Sequence, residues 1–391
     1  MPVTESLNLE ERIKGARRWI EIGNDRRGRA GATLQESLDA YDKAIELVSS
    51  FCESETSPVR DDLASAWINR GIALMHDGGS PSLRQSVECF DRAIGLRTTL
   101  LGLGDPWFRY NLIGVWINRG DALARFGDEA SRAAALASYE EAIRLGSGME
   151  SDRRPKVAWR MALAHLNRGA TLLQLGGAET LAEAGRSFDS SIAALGASED
   201  SQRLIAAYAW EGKAEVMGRQ GSEAEARTCA RRAMALVSGL EPGGLDATIV
   251  GLKARIALCA SSWRALSKAG GSTMDRNESA EALDAADEGL RIAFGWPATR
   301  QMESLIVELF RFGSLGYASL QPQFLGEFIG DFVKPSASAE LGSALRPIAI
   351  QAVRNAIGKL AGDGLMKAGL DEPEIAMFAQ LRSTLESLER R

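Results

Sequence analysis

Apolar positions along the first 240 residues fall into two alternating blocks that return every 49 residues. Trp67-Ile68-Asn69-Arg70-Gly71 comes back as Trp116-Ile117-Asn118-Arg119-Gly120 and as His165-Leu166-Asn167-Arg168-Gly169. The other block, Tyr41-Asp42-Lys43-Ala44-Ile45, comes back as Phe90-Asp91-Arg92-Ala93-Ile94, Tyr139-Glu140-Glu141-Ala142-Ile143 and Phe188-Asp189-Ser190-Ser191-Ile192. A fixed period of this length predicts a stacked array in which each unit buries its apolar face only against its neighbours. Within a period the spacing predicts two helices. Pro58, Pro106 and Pro155 open the first helix, and Gly78-Gly79, Gly127 and Gly176-Gly177 close it, as expected from proline's fixed φ and glycine's tolerance of positive φ. Capping boxes predict the second helix at Thr33/Glu36, Thr180/Glu183 and Ser222/Glu225.

The small and large positions carry packing information. Gly71, Gly120 and Gly169 stand in register inside the first helices, where each costs about 1 kcal/mol against alanine. Three in register therefore predict a close helix crossing within the unit. On the second helix a small residue precedes a large one by one turn: Ser86 and Phe90, Ala135 and Tyr139, Ala184 and Phe188. The large side chain is expected to fill the gap toward the next unit. Arg70, Arg119 and Arg168 also recur, as do the acids Asp91, Glu140 and Asp189, 21 residues later. Ion pairs within a unit or between adjacent units explain both series, and when exposed they contribute about 0–1 kcal/mol each.

Composition narrows the class. With 45% apolar and 25% charged residues the chain is an ordinary globular one. A formal net charge of −6 argues against nucleic acid, since phosphate binding rests on concentrated Lys and Arg. The basic pairs, such as Arg17-Arg18 and Arg153-Arg154, sit among acids and read as solvated surface. Cys52, Cys89, Cys229 and Cys259 form no CxxC pair. Reduced thiols and the absence of an N-terminal apolar leader together predict a cytoplasmic protein. No run approaches 18 uninterrupted apolar residues, so no membrane association is expected.

The repeat resembles the tetratricopeptide repeat, whose pattern W-x2-L-G-x2-Y then A-x3-F is met by Trp67-x2-Arg70-Gly71-x2-Leu74, Ser86-x3-Phe90 and Ala93. The Asn-Arg-Gly and Tyr-Asp-x-Ala-Ile blocks are those of bacterial members. The resemblance covers residues 1–240, with units near 10–50, 58–101, 106–146, 155–196 and 201–240; the last keeps Trp210-Glu211-Gly212 and Ala226-x3-Ala230-x2-Ala233. It implies an all-α, right-handed helical solenoid. Residues 241–296 read as a degenerate repeat and 297–391 as a C-terminal helical cap. This period departs from the family's usual 34 residues by the 15 extra residues of a 49-residue unit, which predicts longer first helices and longer loops.

The family usually binds peptides on its concave face. By motif alignment the inner positions here include Ile68, Ile72, Met75 and His76, then Ile117, Asp121, Ala124 and Arg125. Leu166, Ala170, Leu173 and Gln174 follow, and then Lys213 and Met217. Members that hold a C-terminal carboxylate carry Lys and Asn at fixed places where this chain has Ile68, Ile72, Ile117 and Asp121, so a carboxylate clamp is not expected. The groove reads as apolar with polar spots, suited to a helix or an extended apolar segment of another protein.

Nothing in the sequence carries catalysis. Of two histidines, His165 replaces Trp67 and Trp116 in the repeat, and His76 stands alone. Neither gives a metal set or a nucleophile's base, and Gly270-Gly271-Ser272-Thr273 lacks a phosphate loop's lysine and preceding strand. No enzymatic activity, cofactor or metal is expected. Beyond Pro297, helices are predicted at Thr299–Tyr317, Pro322–Val333, Ala339–Leu360 and Glu372–Glu389. Phe324, Phe328 and Phe332 form one apolar stripe that is expected to pack on the array. The chain thus reads as a scaffold or adaptor for another protein, on its concave face or C-terminal helices. The alternative is a regulatory or inhibitory subunit of an enzyme encoded nearby; helical-repeat RNA binding would need a basic, aromatic face that is missing here.

Overall fold

The computed structural model describes residues 8–29, 31, 33–50, 57–149, 155–195, 200–240, 244–268, 276–297, 299–333, 339–366 and 372–390. It divides into two compact units, Met1–Gly196 and Ala197–Arg391. The first holds α1 (Leu9–Gly28), α2 (Leu34–Ser49), α3 (Ser57–Asp77), α4 (Ser80–Leu100), α5 (Pro106–Ala124), α6 (Glu129–Gly146), α7 (Pro155–Leu175) and α8 (Ala178–Ala194). In the second are α9 (Asp200–Gln220), α10 (Glu223–Val237), α11 (Leu245–Lys268), α12 (Arg276–Phe294), α13 (Arg300–Leu320), α14 (Leu325–Phe332), α15 (Ala339–Met366) and α16 (Glu372–Glu389). No strand occurs among the described residues. Successive helices pair antiparallel, α1 with α2 through α7 with α8, then α9 with α10 and α11 with α12, and within each unit every pair packs on the next. This is the tetratricopeptide-like arrangement, built from first helices of 19–21 residues in α3, α5 and α7, about 30 Å long.

Each crossing glycine lies under an aromatic ring of its own unit. A Cβ on Gly23, Gly71, Gly120 or Gly169 would come within 2.8 Å of ring carbons of Tyr41, Phe90, Tyr139 or Phe188 respectively. Each aromatic is at most 1% exposed. The large residue of the second helix therefore lies first on the glycine of its own unit, not on the next unit as its spacing suggested. Val115 and Ala122 of the following unit then complete the cluster around Phe90. Ser86, also fully buried, donates from Oγ to the Gly71 carbonyl (2.8 Å).

The arginine series pairs backward. Arg70 Nε donates to Asp42 (2.8 Å), Arg119 Nε to Asp91 (2.7 Å) and Arg168 Nη2 to Glu140 (3.1 Å). Each of these acids belongs to the preceding unit. The same guanidiniums reach their own second helix at Cys89 Sγ (3.5 Å), Ser138 Oγ (2.8 Å) and Ser187 Oγ (2.7 Å). Repetition of one geometry in three units places Trp67 and Trp116 equivalently, with Arg70 and Arg119 at 6.0 and 5.6 Å from their rings. Because the carboxylates are about half exposed, a double-mutant cycle on Arg119→Met and Asp91→Asn is expected to give a coupling of about 0–1 kcal/mol. A coupling above about 2 kcal/mol would show that the ladder, not the apolar clusters, holds units together.

Two of the three predicted capping boxes are corrected. Thr33 and Glu36 exchange bonds as expected (Glu36 N to Thr33 Oγ1 3.3 Å, Thr33 N to Glu36 Oε2 2.8 Å). At α8, Gly176 and Gly177 take φ of 71° and 91°, so the helix starts earlier, with Gly177 as N-cap. Thr180 then lies in the first turn and donates to the Gly177 carbonyl (3.0 Å). Ser222 is the N-cap of α10, but its backbone (ψ 67°) departs from the extended geometry of a cap and its side chain makes no capping bond.

The C-terminal helices pack on the last repeat pair. Ile249 and Leu252 of α11, with Leu290 and Ala293 of α12, share one buried cluster with Met302, Ile306, Leu309 and Phe310 of α13 and with α14, α15 and α16. Phe328 and Phe332 are buried, with Phe328 stacked on Phe310 at 5.5 Å. The expected three-residue stripe is shorter. Phe324 belongs to a 3-10 turn, Pro322–Phe324, ahead of α14, and remains 49% exposed.

Candidate functional site

The residues proposed for an inner face divide by burial. Met75 (7% exposed) and Ile117 (2%) are buried in inter-helix clusters, and Ile68 and Ile72 are partly buried beside Phe90. His76, Arg125 and Gln174 are exposed. Leu166 and Leu173 are buried as well. Most of the apolar character read as a groove is consumed in helix packing.

Asp121 is a tie between units. Its Oδ1 accepts from Tyr139 Oη (2.8 Å) and from Asn167 Nδ2 (2.7 Å) of the next first helix. Burial pushes its carboxyl up to about 6, against the two hydrogen bonds and Arg125. Arg125 donates to the Met75 carbonyl (2.8 Å). In the second unit Lys213 stands 5.4 Å over the Trp210 ring, and Met217 packs beside the cluster of Cys259 and Trp263.

In the second unit, positions of α9 near Lys213 and Met217 line a cavity. Helices α9, α11 and α13 together line this half-open cavity of about 690 Å³, within the range that pockets for small molecules or inserted side chains occupy. Its apolar lining is Ala214, Ile256, Ala257, Ala260 and Leu305. Glu211, Glu215 and Arg219 come from α9, Lys253 and Arg264 from α11, and Glu308 from α13. Ser304 and Glu308 also line a second hollow of about 380 Å³ toward α15. Arg219 is ion-paired with Glu215 one turn back on its own helix. Arg264 Nε donates to both oxygens of the buried Glu223 at the start of α10 (3.1 Å each). Glu211 is pushed up to about 7: burial is the main cause, Glu215 adds to it, and Lys253 opposes it.

The sequence did carry a signal for this cavity. In the repeat register Glu211 precedes the glycine, where Arg70, Arg119 and Arg168 stand, and Glu215 falls where Leu74, Leu123 and Leu172 are buried. A carboxylate at a position that is core in three earlier units marks a place where the core opens.

Elsewhere the chemistry is quiet. Burial pushes His165 down, with Arg168 adding to the effect. Burial also pushes the Cys259 thiol up to about 12, and Cys89, Cys229 and Cys259 are all buried. Cys52 lies outside the described residues. Among the described residues no group of three or more His, Cys, Asp or Glu is placed to hold a metal ion, and no helix is long and apolar enough to cross a membrane.

No family model matches the chain, and no curated protein matches its sequence. Among solved structures it is similar to BtubC (BKLC) from P. vanneervenii, with 16% identity over 68% of this chain and 95% of that one, at a TM-score of 0.49. It is also similar to a Signal Transduction ATPase with Numerous Domains protein with a tetratricopeptide repeat sensor from Pyrococcus horikoshii. There the identity is 10%, with 98% of this chain and 54% of that chain covered, at a TM-score of 0.47. A circular tandem repeat protein with a novel repeat topology matches at 12% identity over 97% and 96% of the two chains, with a TM-score of 0.32.

Proposed function

We propose that the chain is a non-catalytic protein-interaction scaffold and that it docks its partner on the face formed by α9, α11 and α13. The observation that carries this reading is the cavity of about 690 Å³ lined by both apolar and charged side chains of three helices, the composition expected of a site that receives side chains from another protein. The lining holds no histidine or cysteine, and its one hydroxyl is the exposed Ser304. A catalytic base paired to a nucleophile is what an enzyme would need there.

Ser304 is an exposed position shared by both hollows, so a large side chain can block the face without touching the core. The test is affinity capture from a host extract with the full chain, Ser304→Trp, and the surface control Arg109→Ala. A protein retained by the wild type and the control but lost with Ser304→Trp supports docking on this face. Equal capture by all three variants overturns it.

A further inference from the structure

We infer that the cavity between α9, α11 and α13 receives a basic side chain, lysine or arginine, presented by the partner protein. The inference rests on the docking proposed above and adds the chemistry of the contact. Six ionisable groups line the cavity, and their pairing decides its polarity. Arg219 is taken up by Glu215, and Arg264 by Glu223 outside the lining. Three groups remain: Glu211 on α9, Glu308 on α13 and Lys253 on α11. None of the three makes an ion pair or hydrogen bond among the described residues. Two carboxylates against one ammonium leave one negative charge in excess. An entering carboxylate would meet both acids with only Lys253 in its favour, whereas an entering cation completes the pairing.

Shape agrees with charge. Lysine and arginine carry a charged head on an apolar stem of three or four methylenes. Ile256, Ala257, Ala260 and Leu305 offer a surface for such a stem, and the carboxylates come from α9 and α13. The elevation of Glu211 to about 7 has the same origin, burial without a bonded counter-charge. A bound cation supplies that charge and favours the ionised form. Binding is therefore coupled to loss of a proton from Glu211, and affinity rises with pH through the neutral range. The groups that face Glu211 and bear on this coupling are Glu215 and Arg219 on its own helix, Lys253 and Arg264 on α11, and Glu308 on α13, with Glu223 of α10 behind Arg264.

The probe is an alanine-based helical peptide with two lysines four residues apart, compared with glutamate and glutamine versions of the same peptide. Binding to the full chain is measured by fluorescence anisotropy at low salt, at pH 6 and pH 8. The lysine peptide is expected to bind best, with affinity up to about tenfold higher at pH 8, since a group of pKa near 7 goes from about one-tenth to nine-tenths ionised across that interval. Glu308→Gln should weaken it several-fold, Glu211→Gln should weaken it and remove the pH dependence, and Lys253→Gln should strengthen it. Lys253→Gln keeps the test decisive if either glutamate variant folds poorly, because its expected effect is a gain. Equal or tighter binding of the glutamate peptide, no binding of any peptide, or indifference of the lysine peptide to all three variants overturns the inference. The docking proposal fails separately, by capture that survives Ser304→Trp; capture lost with Ser304→Trp but without lysine preference leaves docking standing and removes this inference alone.

Discussion

Truncation after Pro297 is expected to lower the melting temperature of the second unit by about 10–20 °C, raise binding of a hydrophobic dye and drive self-association. The four C-terminal helices are not an appendage. They supply Leu309, Phe310, Leu325, Phe328, Leu345 and Leu381 to one cluster with Leu252 and Leu290, and all eight are at most 4% exposed. Full burial of one such side chain is worth about 1.5–3 kcal/mol. Losing the contacts of only Leu252 and Leu290, with the ends of Ile249 and Ala293, removes about 5 kcal/mol from a unit whose net stability is of that order. For a domain of this size that converts to roughly 2–4 °C for each kcal/mol. Calorimetry, dye fluorescence and light scattering on the truncated chain measure all three effects. A truncated protein that stays monomeric, melts unchanged and binds no more dye would mean that the C-terminal cluster closes on itself and leaves α11 and α12 stable alone.

Gly120→Leu is expected to destabilise the first unit by about 2–3 kcal/mol, the upper part of the usual range for overpacking. The ring under Gly120 has nowhere to go. Tyr139 is 1% exposed, and its hydroxyl is held by Asp121, which is held in turn by Asn167. Better helix propensity returns at most about 1 kcal/mol of the loss. Gly95→Ala isolates that propensity gain, because a Cβ at Gly95 of α4 meets nothing within 4 Å; it is expected to raise stability by about 0.5–1 kcal/mol. Denaturant melts of the two variants against wild type should therefore move in opposite directions. If both rise, the glycine at 120 serves no crossing.

Local and periodic information was legible without any structure. The helices, their prolines and closing glycines, the four-helix C-terminal segment and the crossing positions all follow from spacing, because each depends on residues within a few turns of one another. Gly71, Gly120 and Gly169 announce a close contact simply by paying for glycine three times in register.

What the tertiary structure decided is which neighbour each side chain meets. The spacing of Arg119 allowed Glu140 in its own unit or an acid in an adjacent one; the packing of α5 on α4 brings it to Asp91 of the unit before. Alignment to a motif put Met75 and Ile117 on a binding face, but the second helix of the unit and the first helix of the next bury both. The 3-10 turn begun at Pro322 removed Phe324 from its stripe. The cavity shows the same division. The sequence by itself placed Glu211 and Glu215 where arginine and leucine stand in the earlier repeats. Only the packing of α9, α11 and α13 left open space beside them and set Lys253 and Glu308 around it. Charge at a core position can be read from a repeat, but which charges face one another depends on three helices far apart in sequence.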